Sequence, residues 1–293
     1  MKRLIINSIA GILVSLSSLA QPMPEFFGKY IIENDKLIEL QNFDLRLTPF
    51  LVGEQYVPGF SKLPTFIQQV NTLTPSLIYY DQSVTTNTVR LAPIYTVESK
   101  DRTIFYAPLG TIPLKIKPLD KQGMFFFKPA QALATGIYAI YGGEVIGYQG
   151  TSGGNIGLIE VTHPRQKEIF ATIENFVKAL EGKDYEKVAS LSYHWKNPDY
   201  FVNDLETAKK FKKSKLFSGK VIPVSMIEEE SEGVVFYKVY LLCTGALFTI
   251  QIGDLLSLGN SSQNFMYVCD KADGTLRVFT RPEDGGWMFI PKK

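Results

Sequence analysis

Prolines stand at positions 49, 58, 64, 75, 93, 108, 113, 118 and 129. Each fixes φ and removes a backbone donor, so no long helix fits this stretch, and any strands there must be short or end at turns. Between the prolines lie apolar runs of strand length: Ser76–Tyr80, Thr88–Val97, Thr103–Tyr106, Ile112–Ile116, Met124–Phe127 and Gly136–Tyr141. Upstream, Tyr30-Ile31-Ile32 and Leu37-Ile38-Glu39-Leu40 flank the polar Glu33-Asn34-Asp35-Lys36, the pattern of a hairpin. Leu114-Lys115-Ile116-Lys117 alternates, so one of its faces meets water. Thr65–Leu73 reads as a short helix or a loop turn. Residues 21–160 are therefore expected to form a mostly-β domain, an antiparallel sandwich or barrel.

The periodicity then changes. From Gln166, apolar residues fall at Ile169, Phe170, Ile173, Phe176, Val177 and Leu180, with charged and polar residues between them. This 3.6-residue stripe predicts an amphipathic helix stopped by Gly182, and Asp184 is placed to cap a shorter helix carrying Tyr185, Val188, Ala189 and Leu191. A third helix is expected over Asp204–Phe217. Strands follow: Val221–Ile227, an acidic turn Glu228–Gly233, Val234–Cys243, Phe265–Cys269, Thr275–Phe279 and Trp287–Ile290. Residues 161–293 thus read as a second domain, and the chain as α+β overall. Gly142–Gly157 is glycine-rich but lacks a Gly-Lys-Ser/Thr ending and G-x-G-x-x-G spacing. It reads as a hairpin or connection followed by a last strand over Leu158–Val161.

The N-terminus carries an address. Lys2 and Arg3 precede the apolar run Leu4–Leu16, and Ser18-Leu19-Ala20 offers small residues for cleavage after Ala20. That is the layout of a secretory signal peptide over residues 1–20, and it places the mature chain in the periplasm or outside the cell. Removing it leaves 29 basic and 29 acidic residues, a balance that gives no long-range attraction to nucleic acid. No later apolar run reaches membrane-spanning length, so no integral anchor is expected in the mature chain.

The helix pair, the Gly182-Lys183-Asp184-Tyr185 turn and the strand-rich remainder ending in Asp284-Gly285-Gly286-Trp287 resemble the nuclear-transport-factor-like cone fold over about Pro164–Pro291. The segments that carry the resemblance are Ile173–Leu180, Asp184–Val188 and Gly285–Trp287. It implies helices packed on a curved antiparallel sheet, an interior that often holds a small apolar ligand, and pairing of two copies through the outer face of the C-terminal sheet. Some members of that superfamily are isomerases, hydratases or cyclases, while many are non-catalytic modules. No residue here matches a family catalytic position.

Candidate chemistry is sparse. Tyr193 and His194, placed at the end of the second helix, with Asp199 beyond, form the best polar-aromatic cluster. A histidine near a carboxylate is the usual acid–base pair, and the competing reading is an aromatic plug with a surface histidine. Cys243 and Cys269 form either a disulfide, which export permits, or two separate buried thiols. With only two histidines, His163 and His194, no metal site is expected, nor any cofactor. Glu228–Glu232 reads as a solvated turn rather than a carboxylate pair for glycoside hydrolysis. Lys209, Lys210, Lys212, Lys213 and Lys215 offer a contact for anionic lipid, glycan or an acidic partner, or simply a solvated helix face. The expected function is a non-catalytic binding or assembly module at the cell envelope, taking a protein, glycan or small apolar ligand. The alternative is a carrier or isomerase/hydratase-like enzyme using an apolar pocket in the C-terminal cone.

Overall fold

The computed structural model describes residues 22–46, 48–52, 55–98, 104–108, 111–142, 153–194, 221–231, 234–243, 265–270 and 274–280. The fold is strand-rich, and nearly all its strand pairs are antiparallel. The chain opens with the expected hairpin, β1 (Gly28–Glu33) and β2 (Lys36–Glu39), whose turn residues Asn34 and Asp35 have φ of 49° and 59°. Two consecutive positive φ values define the turn that matches strand twist, and Asn and Asp tolerate them best after glycine.

Next come β3 (Asn42–Arg46), the small hairpin β4 (Thr48–Val52) and β5 (Gln55–Gly59), and β6 (Gln68–Val70). The last corrects the reading of Thr65–Leu73, because β6 runs parallel to a later strand instead of forming a helix or turn. Then follow β7 (Ser76–Tyr80), β8 (Val89–Glu98), β9 (Ile104–Pro108), β10 (Leu114–Pro118), β11 (Met124–Pro129), β12 (Gly136–Gly142) and β13 (Gly153–Val161). β13 starts five residues earlier than the sequence pattern indicates, so the end of the glycine-rich stretch is strand, paired with β3. Some prolines lie within paired registers, since Pro93 is opposite Tyr138 on β12 and Pro49 faces Pro58 across β4 and β5. Pro108, Pro118 and Pro129 end strands, and Pro93 lies one residue outside the β8–β9 ladder.

One sheet has the order β10-β11-β7-β1-β2 and the other β3-β13-β12-β8-β9, with β6 beside β13. Their facing sides share one core. Ile31, Leu77, Tyr79, Phe125 and Phe127 come from the first sheet, and Leu91, Tyr138, Ile140, Ile159 and Val161 from the second. Strand periodicity sends Ala92, Ala139, Tyr141, Ile156 and Leu158 to the outside of the second sheet, where Phe60, Leu63 and Ile67 cover them. This is a two-sheet packing, and of the two expected arrangements the sandwich describes it.

The second half has its own core. Helix α1 (Gln166–Glu181) buries Ile169, Ile173, Phe176, Val177 and Ala179, the stripe read from the sequence. Gly182 follows it, but with a right-handed φ of −75°. The left-handed residue of the turn is Lys183, at φ 56°. Helix α2 (Tyr185–Ser190) is capped by Asp184, whose side chain accepts from the Lys187 N–H at 3.1 Å. Strands β14 (Ser192–His194), β15 (Val221–Ser231), β16 (Val234–Cys243), β17 (Phe265–Asp270) and β18 (Leu276–Thr280) form a sheet ordered β14-β18-β17-β16-β15. The helices pack on the face carrying Met226, Tyr237, Val239, Leu241, Met266, Val268, Leu276 and Val278. Val161 belongs to the first core and Ile169 to the second.

The two halves meet at Thr135, in the β11–β12 connection. Its N–H donates to the Met226 carbonyl at 2.7 Å, and its hydroxyl accepts from the Met226 N–H at 3.1 Å. Ser225 returns a bond from its hydroxyl to the Thr135 carbonyl at 2.6 Å. These contacts fall beside the register shift between Pro223 and Ser225, where β15 is the edge of its sheet. The first domain thus covers part of an edge that would otherwise be open to pairing. Thr135→Val keeps the shape but leaves the buried Met226 N–H without its acceptor, and should cost about 1–3 kcal/mol. The expected signature is a lower urea midpoint at unchanged slope.

Candidate functional site

Of the residues singled out by sequence, only some lie among the described residues. Tyr193 and His194 lie on β14, not at a helix end, with Cα partners Phe279 and Thr280 on β18. The chain leaves α2 for this pairing because the Val278 N–H donates to the Leu191 carbonyl at 2.8 Å, while the Ser192 hydroxyl bonds back to Val188. Asp199, the Asp204–Phe217 segment with Lys209, Lys210, Lys212, Lys213 and Lys215, and the Trp287–Ile290 run lie outside the described residues.

Of the two readings left open for the cysteines, Cys269 fits the separate buried thiol. Cys269 is a buried free thiol opposite Phe236 on β16, whereas Cys243 is at the far end of that strand. Seven residues of strand separate them by about 20 Å, and a bridge needs Cα atoms within about 7 Å. Burial, then Asp270, pushes the Cys269 thiol up to about 12, so it stays protonated and inert as a nucleophile.

The acidic segment is strand, not turn, through Ser231. Glu228 meets His163 at 3.1 Å, and Glu229 meets the Tyr267 hydroxyl at 3.4 Å. Adjacent strand residues point to opposite faces, so these two carboxylates do not form a facing pair. On the face away from the helices, Phe236, Phe265, Tyr267 and Cys269 are buried within a single copy.

Two clusters that the sequence does not announce stand out. The first surrounds the start of α1. The Arg165 N–H donates to His163 Nδ1 at 3.2 Å, which leaves the ring proton on Nε2, facing Glu228. The imidazole rests on Tyr237, ring centres 5.4 Å apart. Arg165 then grips three elements. It makes two bonds to Glu168 at 3.0 and 3.3 Å, one to Asp270 on β17, and one to the Gly274 carbonyl at 3.0 Å. Glu168 chiefly, and Asp270 with it, hold the guanidinium charged. Both histidine nitrogens and most of the guanidinium are committed to protein partners. This cluster pins the helix to the sheet.

The second cluster lies inside the N-terminal sandwich. Lys29 follows Gly28 on β1, on the same strand face as Ile31, and is only 2% exposed. Its stem needs space from the opposite sheet, and Gly157 on β13 supplies it. A Cβ at Gly157 would sit 2.8 Å from Lys29 Cδ. The ammonium lies 4.8 Å from the centre of the Tyr79 ring and donates to Asn42 Oδ1 at 2.7 Å. Asn42, on β3 opposite Gly157, is exposed, so the charge ends close to solvent.

Among the described residues no carboxylate forms an ion pair with Lys29. Burial lowers its pKa from 10.5 to about 8, and Asp81 offsets only part of this. Burial, with Asp81, pushes the Tyr79 phenol up to about 12, against a hydrogen bond from the Gly142 backbone. A Cβ at Gly142 would come within 2.7 Å of the Tyr79 ring. The cluster thus presents a buried cation and a neutral phenol, held in space that two glycines keep clear.

A lysine before a run of Tyr, Ile and Ile reads as a solvated strand start. The glycine that makes room for it lies in another sheet, so no local signal marks it. Among the described residues no group of His, Cys, Asp or Glu is arranged to hold a metal, and no helix is long and apolar enough to cross a membrane. Compared with protein-family models, curated proteins and solved structures, the chain matches none.

Proposed function

We propose that this is an exported, non-catalytic two-domain protein that acts in binding or assembly at the cell envelope, with its binding site in the N-terminal sandwich. The single observation that carries the reading is Lys29. Burying an ammonium without a carboxylate costs stability that an apolar residue would not, and residues kept at such a cost are characteristic of binding sites. The signal-peptide layout of residues 1–20 supports export to the periplasm or the extracellular space.

The C-terminal domain, helices on one face of an antiparallel sheet, supports a cone of the nuclear-transport-factor-like kind. Its described helix-facing side is filled by Phe176, Met226, Met266 and their neighbours. That filling favours a packed module over a carrier or isomerase-like pocket.

The test uses the full-length chain with a C-terminal tag, expressed in a secreting host. The soluble exported fraction should have the intact mass of a chain beginning at Gln21. An uncleaved chain retained in the cytoplasm would contradict export. Turnover of a substrate that a substitution in the C-terminal domain abolishes would contradict the non-catalytic reading.

A further inference from the structure

We propose that Lys29, Asn42 and Tyr79 form a subsite for a single carboxylate at the β3 edge of the N-terminal sandwich. The inference rests on reading this domain as the binding module, and it names the chemistry of what is bound. An ammonium has three donors. Here the described structure gives it one acceptor, Asn42 Oδ1, and a ring face, with no acid in ion-pair contact. A buried cation without a counter-charge is stabilised by any anion that reaches it.

Asn42 provides the approach. It is exposed, it sits at the outer strand of its sheet, and its amide N–H groups can donate to the same anion that Lys29 holds. One positive charge and no helix N-terminus match a monovalent carboxylate better than a phosphate dianion. Gly157 sets the depth of the lysine, since any side chain there would displace its stem. Tyr79 remains a neutral phenol at every ordinary pH, so it adds no competing negative charge.

The experiment follows the Lys29 side-chain signals by NMR in the mature chain carrying labelled lysine, with the Lys29→Met chain assigning the resonance. The probes, at constant ionic strength, are sodium acetate, N-acetyl-trialanine as free acid and as amide, and inorganic phosphate. Acetate should shift the Lys29 signals saturably, with an affinity of about millimolar order for one such pair. It should also raise the lysine's titration midpoint by about one unit, because a partnered ammonium holds its proton more tightly.

The free-acid peptide acting as well as acetate would identify a chain terminus as the source of the carboxylate. Acetate acting alone would identify a small free acid. Either result supports the subsite, and Gly157→Ala should then weaken binding about tenfold, the effect of a displaced ion-pair contact. No movement of Lys29 with either acid, equal binding of the amide, or tighter binding of phosphate would overturn it. The outcome for the wider reading is separable. An envelope partner retained equally by the native and Lys29→Met chains would leave the binding module standing while removing the subsite.

Discussion

Phe176→Ala is expected to destabilise the C-terminal domain by about 3–5 kcal/mol, the range for emptying a fully buried aromatic site. Phe176 lies in the second half of α1 and is 0% exposed, in a cluster with residues from β15 to β18. A cavity there removes contacts on the helix and the sheet together. The loss is a large share of the stability of an ordinary domain.

Its location is as informative as its size. The N-terminal clusters contain no residue beyond Val161, and the C-terminal cluster none before Ile169. Hydrogen exchange should therefore show lost protection in 166–191 and in β15–β18, while β1, β7, β11 and β12 keep theirs. Equal loss in both halves would mean that the Thr135 junction couples them more strongly than its few bonds indicate.

Lys29→Met is expected to stabilise the protein, by about 1–3 kcal/mol at pH 7. The sign follows from the proton balance. Unfolded, Lys29 titrates near 10.5, and folded it titrates at about 8. Between those values the unfolded chain binds more protons, so stability rises with pH there. The burden of the buried charge is fully present below pH 8 and is relieved as pH climbs toward 10.5. The advantage of Lys29→Met should therefore shrink across that window and be nearly gone at pH 10. Above pH 10 a second effect enters in both chains. Tyr79 stays protonated in the fold to about 12, so unfolding then releases a proton and stability falls. Denaturant midpoints for the two chains between pH 7 and 10 check this directly. A difference that stays flat with pH would mean that Lys29 is not buried as a charge.

What the sequence made legible follows from the range of the forces involved. The α1 stripe was readable because helix periodicity is local, and the same holds for β7, β8, β11 and β12, whose apolar runs lie between turn residues. Asp184 could be named as a cap from its position alone. β14 could not, since only pairing with β18, far along the chain, draws Tyr193 and His194 out of helix. β6 is three residues of mixed polarity, and its strand character comes from lying beside β13.

The choice between a bridge and separate thiols turned on register, which spacing does not encode. Glu228 and Glu229 looked like a turn because they are charged. In the fold each reaches a partner, on opposite faces of one strand. Lys29 illustrates the limit most sharply, since Gly157 lies in a different sheet and Asn42 thirteen residues away on another strand.

The most direct test is the titration of the Lys29 ammonium itself, followed by side-chain NMR in the unliganded mature protein from pH 6 to 11. The expected midpoint is about 8, well below the ordinary lysine value of 10.5. A midpoint near 10.5 would show a lysine open to water, and the binding site placed in the N-terminal sandwich would fall with it.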